Sequence, residues 1–259
     1  MTSSVFLSVI CLSVIQGVTE WLPISSSGLL VIFEELVMLK DKNQNLLFNI
    51  ATHTGSLIAV IIYFKKEIFN IINNIPLIQN IIIATIPVII FGFLVKFFNF
   101  NLFLQNIKIV AYATIFFSII LYLCDKSPVI KKFHKNISNK NAFYIGLAQV
   151  LALIPGASRS GVTISCARYL GFSRLDSAKF SFLISIPALF AATVIGISEA
   201  VMNFNKDFFV FLFIGFILSL IISLICIKVF LSFIEKYSLN IFVILRLIIG
   251  FVLLFYLAN

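Results

Sequence analysis

Residues 16–30 read Gln16-Gly17-Val18-Thr19-Glu20-Trp21-Leu22-Pro23-Ile24-Ser25-Ser26-Ser27-Gly28-Leu29-Leu30, and this stretch decides how the rest of the chain is read. It sets a carboxylate, an amide, the single tryptophan, a helix-breaking proline and three consecutive serines within strongly apolar sequence. An ionised side chain at bilayer depth costs about 2.5–3.5 kcal/mol on insertion scales, so Glu20 is a candidate functional residue from the outset. A second stretch, Gln149-Val150-Leu151-Ala152-Leu153-Ile154-Pro155-Gly156-Ala157-Ser158-Arg159-Ser160-Gly161, repeats the order of parts: a polar side chain, an apolar run, a proline, and a serine-rich turn closed by glycine. Gly17 precedes Glu20 by three residues, as Gly146 precedes Gln149. Interrupted helices at corresponding places in two halves of a membrane protein point to a site where the breaks meet.

Composition agrees with a membrane setting. Of 259 residues 61% are hydrophobic and 11% charged, and the mean hydropathy is +1.13. These values belong to polytopic membrane proteins. The formal net charge of +9 comes from lysines in short gaps between apolar runs, which fits the positive-inside bias and excludes nucleic acid as a partner. Cys11, Cys124, Cys166 and Cys226 are scattered singly and have neither disulfide nor zinc spacing. The first 15 residues lack a basic leader region and a small-residue cleavage site, and read as a retained helix.

The chain is expected to be an all-α polytopic integral membrane protein with about six full spans and two re-entrant helical hairpins, arranged as inverted repeats in a single transmembrane domain over 1–259. Repeat 1 covers about 1–124, a cytoplasmic loop about 125–140, and repeat 2 about 141–259. Residues 3–19 form a helix too short to span comfortably; Pro23 and the serines break it, and Leu29–Val37 resumes the first hairpin. Spans are expected at 48–64, 79–98, 107–124, 177–200, 208–228 and 238–258, with the second hairpin at 141–172. The 125–140 loop carries five lysines against one aspartate, which marks it as cytoplasmic. Counting crossings from it gives the two hairpins opposite orientations.

A serine- and glycine-rich turn that feeds a helix offers free backbone N–H groups and the positive end of a helix dipole to an anion. Ser25, Ser26, Ser27 and Gly28 make one such cradle; Ser158, Ser160, Gly161 and Thr163 make the other. Arg159 adds a planar fork of donors matched to phosphate oxygens. Gln16 and Glu20 share a helical face, where they suit either a hard divalent cation or, for Glu20, proton abstraction from an attacking oxygen. A serine of the turn is a candidate nucleophile. The competing readings are that Ser-Gly turns pack helices, that Glu20 relays protons, and that Arg159 is simply its structural partner. His53 reads as a hydrogen-bonded helix residue and His134 as a solvated one. Arg168, Arg174 and Lys179 read as a membrane-edge collar, and Arg246, inside the last span, as either functional or snorkelling.

These two motifs, with His53-Thr54-Gly55-Ser56-Leu57-Ile58-Ala59-Val60, the 172–183 stretch FSRLDSAKFSFL and Arg246-Leu247-Ile248-Ile249-Gly250, closely resemble bacterial undecaprenyl-diphosphate phosphatases of the BacA/UppP type over nearly the whole chain. The resemblance implies a multi-pass enzyme of the bacterial inner membrane, a polyprenyl diphosphate lipid as substrate within the membrane lipids, recycling of the lipid carrier for peptidoglycan synthesis, bacitracin resistance, and a divalent cation, Mg2+ or Ca2+. A homodimer is compatible with it. Carried over by motif position, the family's first two acidic positions fall on Gln16 and Glu20, its serine on Ser26, its serine–arginine pair on Ser158 and Arg159, and its threonine on Thr163; with the turn reading above, Glu20, Ser26 and Arg159 are expected to be catalytic, Gln16 and Glu20 to hold the metal, and Ser25, Ser27, Gly28, Ser158, Ser160, Gly161 and Thr163 to bind phosphate. The family commonly has histidine after the first motif's glycine, where this chain has Leu29. An obligatory histidine there would make the chain inactive, whereas a serine or metal-activated water route survives the change. The alternatives are a transporter or flippase of a polyprenyl phosphate and a catalytically impaired homologue.

Overall fold

The computed structural model describes residues 3–26, 29, 42–71, 74–98, 106–131, 137–200 and 209–258. Ser27, Gly28, residues 30–41 and His134 lie outside the described residues, and so do the expectations placed on them. The described chain is helical: α1 Ser3–Thr19, α2 Lys42–Tyr63, α3 Lys65–Ile71, α4 Ile75–Phe97, α5 Ile107–Asp125, α6 Asn139–Val150, a 3-10 turn at Leu151–Leu153, α7 Arg159–Tyr169, α8 Arg174–Ala200, α9 Phe209–Lys236 and α10 Asn240–Ala258. The only β interaction among the described residues is an isolated bridge between Lys131 and Phe172. Helices satisfy their own backbone groups, which a hydrocarbon environment requires.

Among the described residues, five helices are long and apolar enough to cross a membrane: α2 over Gln44–Tyr63, α4, α5, α8 over Arg174–Ile197, and α9; the apolar parts of α1 and α10 are shorter. The protein is an all-α, multi-pass membrane protein. The expected span at 208–228 continues to Lys236 in α9. Lys228 is exposed while Phe230, Leu231 and Ile234 are buried, so the charge leaves the packed face intact and does not end the helix.

Small residues set the helix contacts. A Cβ on Gly55 of α2 would stand 2.4 Å from the Phe216 carbonyl of α9, and one on Gly146 of α6 2.5 Å from the Ala84 carbonyl of α4. Backbones at this separation leave no room for a side chain. Beside Gly55, the Ser56 hydroxyl is 3.0 Å from both Ser219 and Ser223, Ser219 donates to the Thr52 carbonyl at 2.7 Å, and Ser223 donates to the Gly17 carbonyl at 3.3 Å. These bonds tie α9 to both α1 and α2. In pairs, α1 packs along α9 and α6 along α4; α2 contacts α8 and α9, and α8 contacts α4; α5 packs on α10, and α7 sits against α5, α6 and α8. The central core gathers Trp21, Phe64, Phe182, Phe230 and Phe242, with Trp21 fully buried and edge-on to Phe182 at 5.0 Å.

Candidate active site at the junction of two broken helices

Each break is a local consequence of its sequence. After α1, the Glu20 N–H still donates to the Gln16 carbonyl at 3.1 Å, which keeps the Glu20 side chain on the Gln16 face. The chain then turns through Pro23 and becomes helical again at Ser26, where the buried Ser25 offers its carbonyl to the Leu29 N–H at 3.2 Å. In the second break, Gly156 takes φ +98° and Ser158 φ +64°. Ser158 is the only non-glycine residue at positive φ among the described residues, a strained conformation that recurs at functional sites. It caps α7: its Oγ accepts the Gly161 N–H at 3.2 Å and its carbonyl the Val162 N–H at 3.0 Å. Ser26 and Arg159 are each the first helical residue after a break.

The two breaks meet. Arg159 Nη2 donates to Glu20 Oε1 at 2.7 Å and to the Glu20 carbonyl at 3.5 Å, and Nη1 donates to the Ser181 carbonyl at 3.1 Å. Its guanidinium lies 5.5 Å over the Trp21 ring, a cation–π distance. Ser160 Oγ donates to the Leu22 carbonyl at 2.8 Å, a second bond between the breaks. The Glu20 and Arg159 side chains are 9% and 15% exposed, shielded but reachable.

His53, by sequence a hydrogen-bonded helix residue, lies beside the Glu20 carboxylate in the structure. Its Nδ1 lies 2.8 Å from the Asn49 carbonyl. A carbonyl can only accept, so Nδ1 carries the proton and Nε2 is left facing Glu20 Oε2 at 3.7 Å. The signal in sequence is the His53-Thr54-Gly55-Ser56 motif, which does not disclose the partner across the bundle.

The other candidate side chains have partners of their own. Gln16 Nε2 donates to Glu20 Oε2 at 2.8 Å, so Gln16 acts as a hydrogen-bond donor to the carboxylate. Thr163 is fully buried; its Oγ1 contacts the Arg159 carbonyl at 2.8 Å and Ser181 Oγ at 2.7 Å. Thr163 and Ser160 thus have their hydroxyls committed to bracing the turn. Ser158 is half-buried, with Oγ 3.3 Å from Ser160 Oγ. The α7 N-terminus still offers the first-turn N–H groups that no helix satisfies internally. Gln149, the counterpart of Glu20 in the second half, is fully buried, and its amide reaches the Ala84 carbonyl at 3.5 Å.

Arg168 and Arg174 are both engaged by the protein itself. Arg174 grips Asp125 through Nε at 2.6 Å and Nη2 at 3.0 Å, and Arg168, 3% exposed, donates to the carbonyls of Asp125, Ser127 and Phe172. Lys179 is half-buried. Arg246 does not snorkel: it is fully buried and donates to the carbonyls of Pro23, Gly156 and Ala157.

For a cation the arrangement offers the Glu20 carboxylate. Both Glu20 oxygens are engaged, one by Arg159 and the other by Gln16, and no group of three or more His, Cys, Asp or Glu side chains suited to a metal occurs among the described residues. As an anion site it is well equipped, with a guanidinium, a helix N-terminus and a carboxylate that orients the guanidinium.

The family model described as bacitracin resistance protein BacA matches residues 9–252. The chain is 42% identical over 255 residues to the undecaprenyl-diphosphatase of Pelagibacter ubique (strain HTCC1062), covering 98% of each protein. It is 41% identical over 267 residues to the undecaprenyl-diphosphatase of Campylobacter curvus (strain 525.92), covering 95% of this chain and 97% of that protein. Against the undecaprenyl-diphosphatase of Aliivibrio salmonicida (strain LFI1238) the identity is 38% over 265 residues, with 95% and 96% covered. Two broken helices joined through Glu20 and Arg159 and a match along nearly the whole chain lead to one statement: this protein belongs to the bacitracin resistance protein BacA family.

Proposed function

We propose that this protein is an undecaprenyl-diphosphatase, a membrane hydrolase that converts undecaprenyl diphosphate to the monophosphate and inorganic phosphate. In this reading it recycles the lipid carrier in the bacterial inner membrane and confers bacitracin resistance. The observation that carries the reading is the 2.7 Å pair of Glu20 and Arg159 across the two breaks, in a chain 38–42% identical to proteins named for that activity.

Arg159 uses three N–H groups on the Ser181 carbonyl and on Glu20; of the five a guanidinium offers, two remain for the oxygens of the terminal phosphate. First-turn N–H groups of α7 add to this hold. Ser26, the first helical residue after the first break, supplies the attacking oxygen. Glu20 takes its proton as the oxygen–phosphorus bond forms and the bond to the bridging oxygen breaks, releasing prenyl monophosphate. Water then attacks the phosphoserine, releasing inorganic phosphate and restoring Ser26. Positioning and charge neutralisation supply most of the catalysis in such a transfer. A divalent cation, Mg2+ or Ca2+, would be held with the diphosphate beside Glu20 and Gln16 and would neutralise phosphate charge.

The division into two repeats at about 125–140 is part of the same proposal. It is supported by the exchanged packing of α1 on α9 and α6 on α4, and by the matching close approaches of Gly17 to α9 and Gly146 to α4.

The test is phosphate release from undecaprenyl diphosphate by purified protein in detergent, with and without divalent cation, beside Glu20→Ala and Arg159→Ala. Release by the wild type and loss in both variants is expected. Folded wild-type protein that binds the lipid without releasing phosphate would overturn the reading.

A further inference from the structure

Arg246 lies in α10, far in sequence from both breaks, yet it touches each of them. Its Nη2 donates to the Gly156 and Ala157 carbonyls, both at 3.0 Å, and its Nη1 to the Pro23 carbonyl at 3.4 Å. These carbonyls belong to the interrupted backbone, where no following helical turn supplies an N–H. The same Nη1 stands 2.5 Å from where a Cβ of Gly161 would be, so with a larger residue there the guanidinium tip would have to shift from its place against the first turn of α7. Arg246 has no exposed surface, and its Nε finds no hydrogen-bond partner.

The charge arrangement at the junction is lopsided. Among the described residues, Glu20 is paired with Arg159, and Asp125 with Arg168 and Arg174, while no carboxylate faces Arg246. A buried cation held only by carbonyl dipoles is costly. The missing compensation is an anion, and the adjoining helix N-terminus is where an anion would sit.

Building on the phosphatase reading, we propose that Arg246 is a positioning residue of the reaction: it fastens the two breaks into one phosphate cradle and supplies the uncompensated positive charge that the terminal phosphate neutralises. It touches no reacting atom. It holds the carbonyl side of both turns, which aims their N–H side at the substrate, and it acts on phosphate through space.

The full-length protein in detergent provides two readouts: steady-state phosphate release, and the rise in melting temperature produced by inorganic phosphate. Arg246→Met should lower kcat by about 100-fold or more, as does loss of an electrostatic stabiliser, and should abolish the phosphate-induced rise. Arg246→Lys should keep that rise while kcat falls by about tenfold, because an ammonium carries the charge but cannot span three carbonyls in a planar fork. Gly161→Ala pushes the guanidinium aside without removing it and should lower kcat in protein that still elutes as a folded species. The proposal is overturned if folded Arg246→Met or Gly161→Ala keeps kcat within about threefold of wild type, or if Arg246→Met keeps the full phosphate-induced rise. Should Arg246→Met not fold, Gly161→Ala and Arg246→Lys decide the matter. Absence of phosphate release by the wild type would instead sink the phosphatase reading and leave the melting shifts to judge Arg246.

Discussion

Glu20 and Arg159 form one unit, so their substitutions should resemble each other. Glu20→Gln keeps the shape but removes the charge that orients Arg159 and the proposed proton acceptor. A loss in kcat of about 100-fold or more is expected. Arg159→Lys should be nearly as damaging despite its retained charge, because one ammonium cannot serve the Glu20 carboxylate, the Ser181 carbonyl and a phosphate together. Both are checked by phosphate release at saturating substrate. His53 is a milder case. Its Nε2 lies 3.7 Å from Glu20 and its ring is anchored by Asn49, so His53→Ala should reduce kcat by about tenfold, less than the roughly 100-fold or more lost with a general acid or base. An unchanged kcat would remove His53 from the site.

Between elements, the glycines separate close backbone contacts from open space. Gly146→Ala places a methyl 2.5–2.9 Å from Ala84 backbone atoms, and Gly55→Ala places one 2.4 Å from the Phe216 carbonyl. Neither neighbour is a flexible side-chain tip, so each substitution should cost about 1–3 kcal/mol as overpacking does and lower the melting temperature in detergent. Gly92→Ala is the contrasting control: the nearest atom is a Leu153 methyl at 3.8 Å. It should fall within about 0.5 kcal/mol of wild type, as substitutions without a structural conflict do. The glycine at a helix contact is visible in sequence; which glycine faces which backbone is not. Ser56, Ser219 and Ser223 make the same point, being unremarkable singly and joined only when α2 and α9 pack.

Across the whole molecule, Asp125 is the hub that gathers distant segments. It ends α5, binds Arg174 at the start of α8, lies 3.7 Å from Arg168 of α7 and accepts the Leu239 N–H between α9 and α10 at 3.1 Å. Asp125 and Arg168 are each 3% exposed. Asp125→Ala strands two arginines, one of them buried, and should cost about 3–5 kcal/mol, as breaking a buried pair does. A thermal melt of the purified variant checks this, and a melting temperature equal to wild type would contradict it. At this scale the Glu20 side chain keeps 9% exposure, while Gln149 is fully buried.

The sequence by itself determined what is local. Apolar run length made the chain a helical membrane protein, Pro23 and Pro155-Gly156 broke two helices, and the serines placed caps after the breaks. Glu20 and Arg159 stood out because ionised groups in apolar sequence need a reason. Tertiary structure alone decided the partners. Glu20 is 139 residues from Arg159, and Arg246 is 223 residues from Pro23, separations over which no periodicity carries information. It made His53 a neighbour of the carboxylate and turned Gln16 into a donor to it. It also committed the Ser160 and Thr163 hydroxyls to bracing the turn. Burial is the physical reason: a charged or polar group removed from water must find its partner wherever the fold brings one, and only packing of the helices specifies where that is.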